Sequence, residues 1–295
     1  MSGDPVTVAY ERLIARFVVW AEAEANVRAA IVIGSRARTD HPADQWSDLD
    51  VLIFAVDPEP YREAGWLHDI GTPWLTFLEP TPDGSGYERR VLFQAGLDVD
   101  FIPLPVAHLA QWLTQGFPPP LPDLLARGVR FLVDKEGFAA RLDALNVEPP
   151  SYTPPTEDQF LNAVNNFWYH TVWTAKHLRR GELWWAKSCC DGYLKDLLHR
   201  MLVWHARATR EEVDTWMRGR YLEEWADSRA VEALAEAYAH YHEADVWRAL
   251  QATLALFSWV AHEAAEALGY PYPDEGEAHA RALVRRLAAG QPLLD

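Results

Sequence analysis

Cysteine, long apolar runs and positive charge are all scarce in this sequence. Its two cysteines, Cys189 and Cys190, are adjacent, and neighbouring side chains of a predicted helix diverge, which disfavours a disulfide or a metal pair. Apolar runs such as Phe17–Ala21 stay far below the roughly 20 residues that span a bilayer, and the N-terminus has no basic segment leading into an apolar one. We therefore expect a cytoplasmic protein without a membrane partner.

Basic residues are outnumbered by acidic ones, 27 against 43, and the formal net charge is −16 at pH 7. Nucleic-acid binding takes most of its affinity from phosphates neutralised by Lys and Arg, so we expect no nucleic-acid partner. A cationic small molecule suits this charge better. The hydrophobic content of 49%, with 14 Trp, is enough for a sizeable core in one large or two ordinary domains.

A proline-rich segment, Glu148–Pro155, separates two sequence patterns. The first pattern mixes strands and helices, whereas the second opens with the capping-box sequence Thr156–Gln159 and is helical. We predict an α+β protein, with a mixed β-sheet and flanking helices over 1–150 and an all-α helical bundle over 151–295. Strands are expected at 28–33, 51–54, 73–79, 87–94, 98–104 and 129–133, and helices at 5–26, 156–181, 183–207, 210–217, 228–243, 246–267 and 276–289.

The clearest functional signal begins with the turn at Gly34 and Ser35, which follows an apolar strand. We predict a short helix after this turn. A Gly-Ser turn at a helix start exposes backbone N–H groups that can hold phosphate oxygens. Arg36 or Arg38 can add a charge-assisted contact to a triphosphate.

Two aspartates complete the signal at the start of the next predicted strand. Asp48 and Asp50 are two residues apart, so both carboxylates project from one face, and hard oxygen ligands of this kind suit Mg²⁺. A further carboxylate is expected from a later strand, where Asp100 is our choice and Asp98, on the same face, is the competitor. An isolated Asp-x-Asp is more typical of a loop or strand edge, but the combination in this order is specific.

At these residues the chain resembles the nucleotidyltransferase superfamily. It is more narrowly similar to the aminoglycoside 6-adenylyltransferases, or streptomycin adenylyltransferases, through the segments Gly34–Arg38, Ser47–Asp50, Asn165–Tyr169, Ala175-Lys176 and Ala186-Lys187.

The resemblance implies a nucleotidyltransferase domain at 1–150 and a helical substrate- and nucleotide-binding domain at 151–295. The implied reaction moves AMP from Mg-ATP to a hydroxyl group of an aminoglycoside such as streptomycin and releases pyrophosphate. The resemblance also implies that Asp48, Asp50 and Asp100 hold Mg²⁺, for which we expect two ions, and that Ser35 and Arg38 lie near the phosphates of ATP. We expect a monomer or a weak dimer.

The helical half offers a second pair of candidates, Lys187 and Asp191, which are four residues apart on one helical face. Lys187 can reach a phosphate. Asp191 can receive the proton of the acceptor hydroxyl or hold an acceptor ammonium group. The alternative is an ordinary exposed ion pair.

Two glutamates of the first half and several aromatic residues of the helical half are further candidates. Glu79 and Glu88 flank strands and can line an acidic acceptor pocket, although most acidic residues are simply solvated. For the aromatic residues of the helical half we expect core packing rather than ligand contact; they are Trp168, Tyr169, Trp173, Trp184 and Trp185.

Two other functions remain open at the level of the sequence. One is the same chemistry on a different small-molecule or macromolecular acceptor. The other is a non-catalytic nucleotide-binding module of the same fold, which the intact Asp48, Asp50 and Asp100 argue against.

Overall fold

The computed structural model describes residues 4–81, 84, 86–148, 151–210 and 212–293. The chain divides into two compact units, Met1–Ser151 and Tyr152–Asp295. The first unit contains a sheet covered by helices and the second is helical, so the predicted α+β fold class is confirmed.

The first unit alternates helices and strands along the chain. Its elements are α1 Pro5–Ala23, β1 Val27–Ile33, β2 Leu49–Ala55, α2 Leu67–Ile70, β3 Pro73–Pro80, β4 Tyr87–Phe93, β5 Leu97–Pro105, α3 Val106–Gln115, α4 Leu121–Arg127, β6 Arg130–Asp134 and α5 Phe138–Leu145.

The six strands form one mixed sheet in the order β3-β4-β5-β2-β1-β6. Strands β2 and β5 are parallel, and the other neighbouring pairs are antiparallel. The β2–β5 register places Asp50 directly beside Asp100. Two carboxylates that are 50 positions apart in the sequence are therefore brought together in the middle of the sheet.

Both faces of the sheet are apolar, which explains the near-continuous hydrophobic runs of β1 and β2. One face packs against α1 and α2, and the other packs against α3, α4 and α5. Leu52 and Ile102 belong to the second packing layer. Because side chains two residues apart share a face, Asp50 and Asp100 lie on that same face of the sheet.

The helical unit begins where the capping box predicted it. Thr156 accepts a hydrogen bond from the N–H of Gln159, and the Gln159 side chain accepts one from the N–H of Thr156. Within the described part of the chain, no helix is both long enough and apolar enough to cross a membrane. The helices are α6 Glu157–Arg179, α7 Leu183–Ser188, α8 Leu194–Thr209, α9 Leu222–Trp225, α10 Ser228–Ala237, α11 Glu243–Leu268 and α12 Asp274–Ala288.

Some helical predictions were wrong. The helix expected at 183–207 is interrupted by a π-helical turn, Cys189–Tyr193, between α7 and α8. The helix expected at 210–217 does not form in the described residues 212–216, and a 3-10 turn follows at Met217–Gly219. Helices α3, α4 and α5 were not predicted, because each is 10 residues or shorter and shows only about two turns of apolar periodicity.

A buried carboxylate stabilises the helical unit. Glu277 is 8% exposed and accepts hydrogen bonds from Ser258 (2.7 Å), Tyr272 (2.7 Å) and Arg281 (2.6 Å). Burial raises the pKa of Glu277, but these three donors outweigh it and hold the pKa below its usual range. The network therefore contributes stability at neutral pH that is lost as the pH falls through this lowered pKa.

We expect Glu277→Gln to lower the free energy of unfolding by about 2 to 3 kcal/mol, because the amide turns a donor toward groups that are themselves donors. Urea unfolding at pH 7 measures this difference. The control is Glu275→Gln, an exposed position on the same helix, which should change little. Equal unfolding midpoints for both variants would show that the network does not stabilise the unit.

Candidate active site

Three carboxylates meet at the ends of β2 and β5. Asp48 directly precedes β2, Asp50 lies in β2, and Asp100 lies beside Asp50 in β5. One carboxylate oxygen from each residue lies within 4.8 Å of those of the other two. Asp98 is exposed and does not belong to this group. The geometry therefore favours Asp100 over Asp98 as the third carboxylate.

The carboxylate of Asp100 lacks a full set of partners inside the protein. The residue is 5% exposed, and its Oδ1 atom is buried without a hydrogen-bond partner. The other oxygen, Oδ2, is 3.4 Å from Nη1 of Arg90. Burial, together with the negative charges of Asp98 and Asp48, raises the pKa of the Asp100 carboxyl to about 6. A cation at this position would give Oδ1 a partner and would offset the repulsion between the carboxylates.

Gly34 leaves room for the carboxylate of Asp50. Its φ is +72°, and a Cβ atom at this position would lie 2.5 Å from Oδ2 of Asp50. Any side chain would therefore displace this carboxylate as well as strain the backbone. The glycine was predicted as part of a phosphate-binding turn, and its contact with Asp50 depends on the sheet register.

The helix predicted after Gly34 does not form. Gly34–Arg36 is a single 3-10 turn, and a polar loop continues to Asp48. His41 has φ +43° and precedes Pro42, and both features are incompatible with a continuing α-helix. The turn therefore does not lead into the N-terminus of an α-helix, which the phosphate-binding argument had required.

The two arginines after the turn make backbone contacts. Arg36 donates to the carbonyl oxygens of Ser47 (2.7 Å) and Asp48 (2.9 Å), so it holds the segment that carries the first aspartate. The sequence did not predict this structural role, because a basic residue that follows a Gly-Ser turn suggests phosphate binding instead. Arg38 donates through Nε to the carbonyl of His41 at 2.7 Å.

Buried polar atoms without partners coincide with the predicted site residues. In the described part of the chain, six buried side-chain N or O atoms have no hydrogen-bond partner, and three of them are Ser35 Oγ, Asp100 Oδ1 and Asp191 Oδ1. Such atoms are costly in a folded protein unless a ligand, ion or water satisfies them. This property is independent of the sequence patterns that first selected the three residues.

The acidic surface extends from the three aspartates onto β4 and β3. Arg90 lies opposite Asp100 in the register and also contacts Glu79 (2.7 Å) and Glu88 (3.2 Å). Glu79 and Glu88 are themselves opposite one another, so both candidate acceptor residues connect to Asp100 through one guanidinium group. Arg90 was not predicted as a site residue from the sequence. The feature that could have identified it is the pair of adjacent arginines within a strand of a strongly acidic chain.

In the helical unit, Lys187 and Asp191 form an ion pair with one another. Lys187 is in α7, Asp191 is in the π-helical turn, and the lysine ammonium donates to Oδ2 of the aspartate. The N–H of Ala239 also points to Oδ2, at 3.4 Å. Both side chains are mostly buried, with 24% and 16% exposed, so the pair differs from the exposed ion pair considered as the alternative.

The expectation that the aromatic residues of this unit pack in its core is wrong for several of them. Trp168 is buried, but Trp184, Trp185 and Tyr169 are 72%, 56% and 66% exposed. Trp184 lies beside Tyr241, with ring centroids 6.3 Å apart. Helical periodicity could not distinguish these residues from core residues, because α6 and α7 contain aromatic side chains at buried and at exposed positions alike.

Sequence comparisons identify relatives along nearly the whole chain. The family model described as streptomycin adenylyltransferase matches residues 9–287. An aminoglycoside 6-adenylyltransferase of Bacillus subtilis (strain 168) is 24% identical over 269 residues, covering 88% of this chain and 92% of that protein. A protein of the same name from Campylobacter jejuni is 24% identical over 282 residues, covering 90% of this chain and 92% of that protein.

The comparison with solved structures gives a crystal structure of an aminoglycoside 6-adenyltransferase from Bacillus subtilis. It is 18% identical in sequence and has a TM-score of 0.44, covering 94% of this chain and 97% of that chain.

Proposed function

We propose that this chain, which belongs to the streptomycin adenylyltransferase family, transfers AMP from Mg-ATP to a hydroxyl group of an aminoglycoside such as streptomycin and releases pyrophosphate. The family and its curated relatives make the protein an enzyme, a nucleotidyltransferase. The resemblance noted from the sequence motifs is thereby confirmed. The metal, the nucleotide, the acceptor and the roles of individual residues belong to the proposal.

The grouping of Asp48, Asp50 and Asp100 is the observation that carries the proposal. The donor set fits a hard divalent cation, because it consists of carboxylate oxygens and includes one buried oxygen without a partner. When bound, one or two Mg²⁺ ions would neutralise phosphate charge and stabilise the attacking and leaving oxygens. The chain itself contributes the fixed position of the three carboxylates, set by the β2–β5 register and by the clearance at Gly34.

The nucleotide phosphates are assigned to the turn after β1 and to Lys187. Ser35 has a buried hydroxyl oxygen without a partner, which can donate a hydrogen bond to a phosphate oxygen. Arg38 follows in the same loop and carries a fixed positive charge. Lys187 supplies an ammonium group in the helical unit.

For the acceptor, the proposal assigns Asp191 one of two roles. Its Oδ1 atom can take the proton of the attacking hydroxyl or accept a hydrogen bond from an acceptor ammonium group. In the reaction, the acceptor oxygen forms a bond to the α-phosphorus of ATP, the bond to the bridging oxygen breaks, and pyrophosphate leaves. Glu79 and Glu88 contact Arg90, which also contacts Asp100, and the charge of Asp98 acts on that of Asp48. These additional negative charges favour a polycationic acceptor.

We expect the protein to release pyrophosphate from Mg-ATP in the presence of streptomycin and to yield an acceptor that carries one added AMP. The measurement is pyrophosphate release across a panel of aminoglycosides, with mass spectrometry of each acceptor. EDTA should stop the reaction and excess Mg²⁺ should restore it, whereas omission of the acceptor is the control.

Two negative results have different meanings. No product with any aminoglycoside, together with Mg²⁺-dependent ATP binding, would keep the nucleotidyltransferase site and require a different acceptor. The absence of metal-dependent ATP binding would contradict the proposed site as a whole.

A further inference from the structure

The side chain of Lys195 is buried without a carboxylate partner. The residue, in α8, is 6% exposed, and its ammonium donates to the carbonyl of Cys190 (2.8 Å) and to Oγ1 of Thr253 (2.9 Å). Among the described residues Lys195 forms no salt bridge, although the negative charge of Asp191 acts on it. Burial lowers the pKa of Lys195. A buried ammonium is costly, so packing alone does not explain its presence.

The contacts of Lys195 fix an irregular turn of helix. Cys190 lies in the π-helical turn between α7 and α8, and Thr253 lies in α11. The ring of Tyr238 is 5.0 Å from the same ammonium. Lys195 therefore ties a carbonyl of the turn to a neighbouring helix. π-helical turns are rare, and they occur frequently at functional sites.

The residue after Cys190 is Asp191, the candidate acceptor-binding carboxylate. Lys187 and the N–H of Ala239 contact its Oδ2 atom, while its Oδ1 atom is buried without a partner. In a regular α-helix through this segment the side chain of Asp191 would have a different direction, since the turn adds one residue to the helical repeat. The π-helical turn therefore sets the direction of Oδ1.

We propose that Lys195 is a positioning residue, which holds the π-helical turn through Cys190 and Thr253 so that Oδ1 of Asp191 is presented to the acceptor. Lys195 does not touch substrate itself, because its ammonium is enclosed by the protein. This inference rests on the proposed function, since it needs Asp191 to act on an acceptor.

The test combines Lys195→Met with Asp191→Asn. Methionine keeps the length of the side chain and removes its charge and donors, and Thr253 retains its bonds to Ala249 and Ala237. We expect Lys195→Met to lower kcat/KM for streptomycin about 30-fold in the wild-type background and less than about 2-fold in the Asp191→Asn background, because the two residues act through one carboxylate.

The only two cysteines provide a readout that does not depend on catalysis. Cys189 and Cys190 are both buried in the turn, and burial raises the pKa of the Cys190 thiol to about 12. We expect their reaction with a disulfide reagent to be slow in the wild type and about 10-fold faster in Lys195→Met, because the turn opens more often. Thr253→Val should also lower kcat/KM and raise the rate of thiol reaction. It replaces Lys195→Met in the test if the methionine variant does not fold.

A matched control is Lys135→Met, which removes another lysine that binds backbone carbonyls, those of Ala21 (2.8 Å) and Glu24 (2.9 Å). It should leave thiol reactivity and kcat/KM unchanged. Thiols that react at the wild-type rate in Lys195→Met, or equal losses of kcat/KM in the two backgrounds, would overturn the inference alone. A wild-type protein that forms no product would overturn the proposed function and this inference with it.

Discussion

Replacement of Asp100 by asparagine is expected to lower the rate of AMP transfer on the order of 10³-fold or more while the protein remains folded. The amide removes a ligand charge from the three carboxylates that are proposed to bind the metal. It also removes a negative charge that burial and the nearby carboxylates of Asp98 and Asp48 destabilise, so the melting temperature should stay the same or rise. Single-turnover kinetics and thermal unfolding of one preparation measure the two effects together.

Asp98→Asn is the matched control for this prediction. It makes the same chemical change two residues away on the same strand, at an exposed position outside the group of three carboxylates. We expect transfer to fall less than about 5-fold, because only the surrounding negative charge changes. A larger loss in Asp98→Asn than in Asp100→Asn would reverse the assignment of the third ligand.

Gly34→Ala is expected to cost activity on the order of 10²-fold. The new methyl group would meet Oδ2 of Asp50 at 2.5 Å, so the carboxylate must move, and small misplacements of catalytic groups have effects of this size. The positive φ of +72° should also destabilise the protein by about 1 to 2 kcal/mol. Steady-state kinetics and chemical denaturation separate the two losses.

The control is Gly269→Ala. Gly269 has the same φ of +72° after α11, and a methyl group added there would meet no neighbouring side chain or backbone atom within 4 Å. This variant should show a similar loss of stability with unchanged kcat and KM. Equal activity in the two alanine variants would mean that the contact between Gly34 and Asp50 does not matter for catalysis.

The candidate site could be predicted in part from the sequence, because strand periodicity shows which of its carboxylates project from the same face of the sheet. Asp48 and Asp50 are predictable as a pair from their spacing, and Asp100 from its place between Val99 and Phe101. Asp98 stayed a competitor at the level of the sequence, since both project to one face, and only the register with β2 places Asp100 beside Asp50.

Other features depend on tertiary contacts that no local pattern encodes. The π-helical turn is one example, because the side chain of Lys195 and the hydroxyl of Thr253 meet across 58 positions of sequence. The link from Asp100 through Arg90 to Glu79 is another, since it requires the pairing of three strands. The exposure of Trp184 is a third, because periodicity selects apolar faces but does not show whether another element covers them.

Binding of Mn²⁺, as a paramagnetic substitute for Mg²⁺, tests the assignment of the metal site most directly. Electron paramagnetic resonance can titrate the free ion in the presence of a non-hydrolysable ATP analogue, with the wild type, Asp98→Asn and Asp100→Asn compared at equal protein concentration. We predict tight binding to the wild type and to Asp98→Asn, and a loss of at least about 10-fold in affinity for Asp100→Asn. Wild-type affinity in Asp100→Asn would contradict the assignment of Asp48, Asp50 and Asp100 as the metal site.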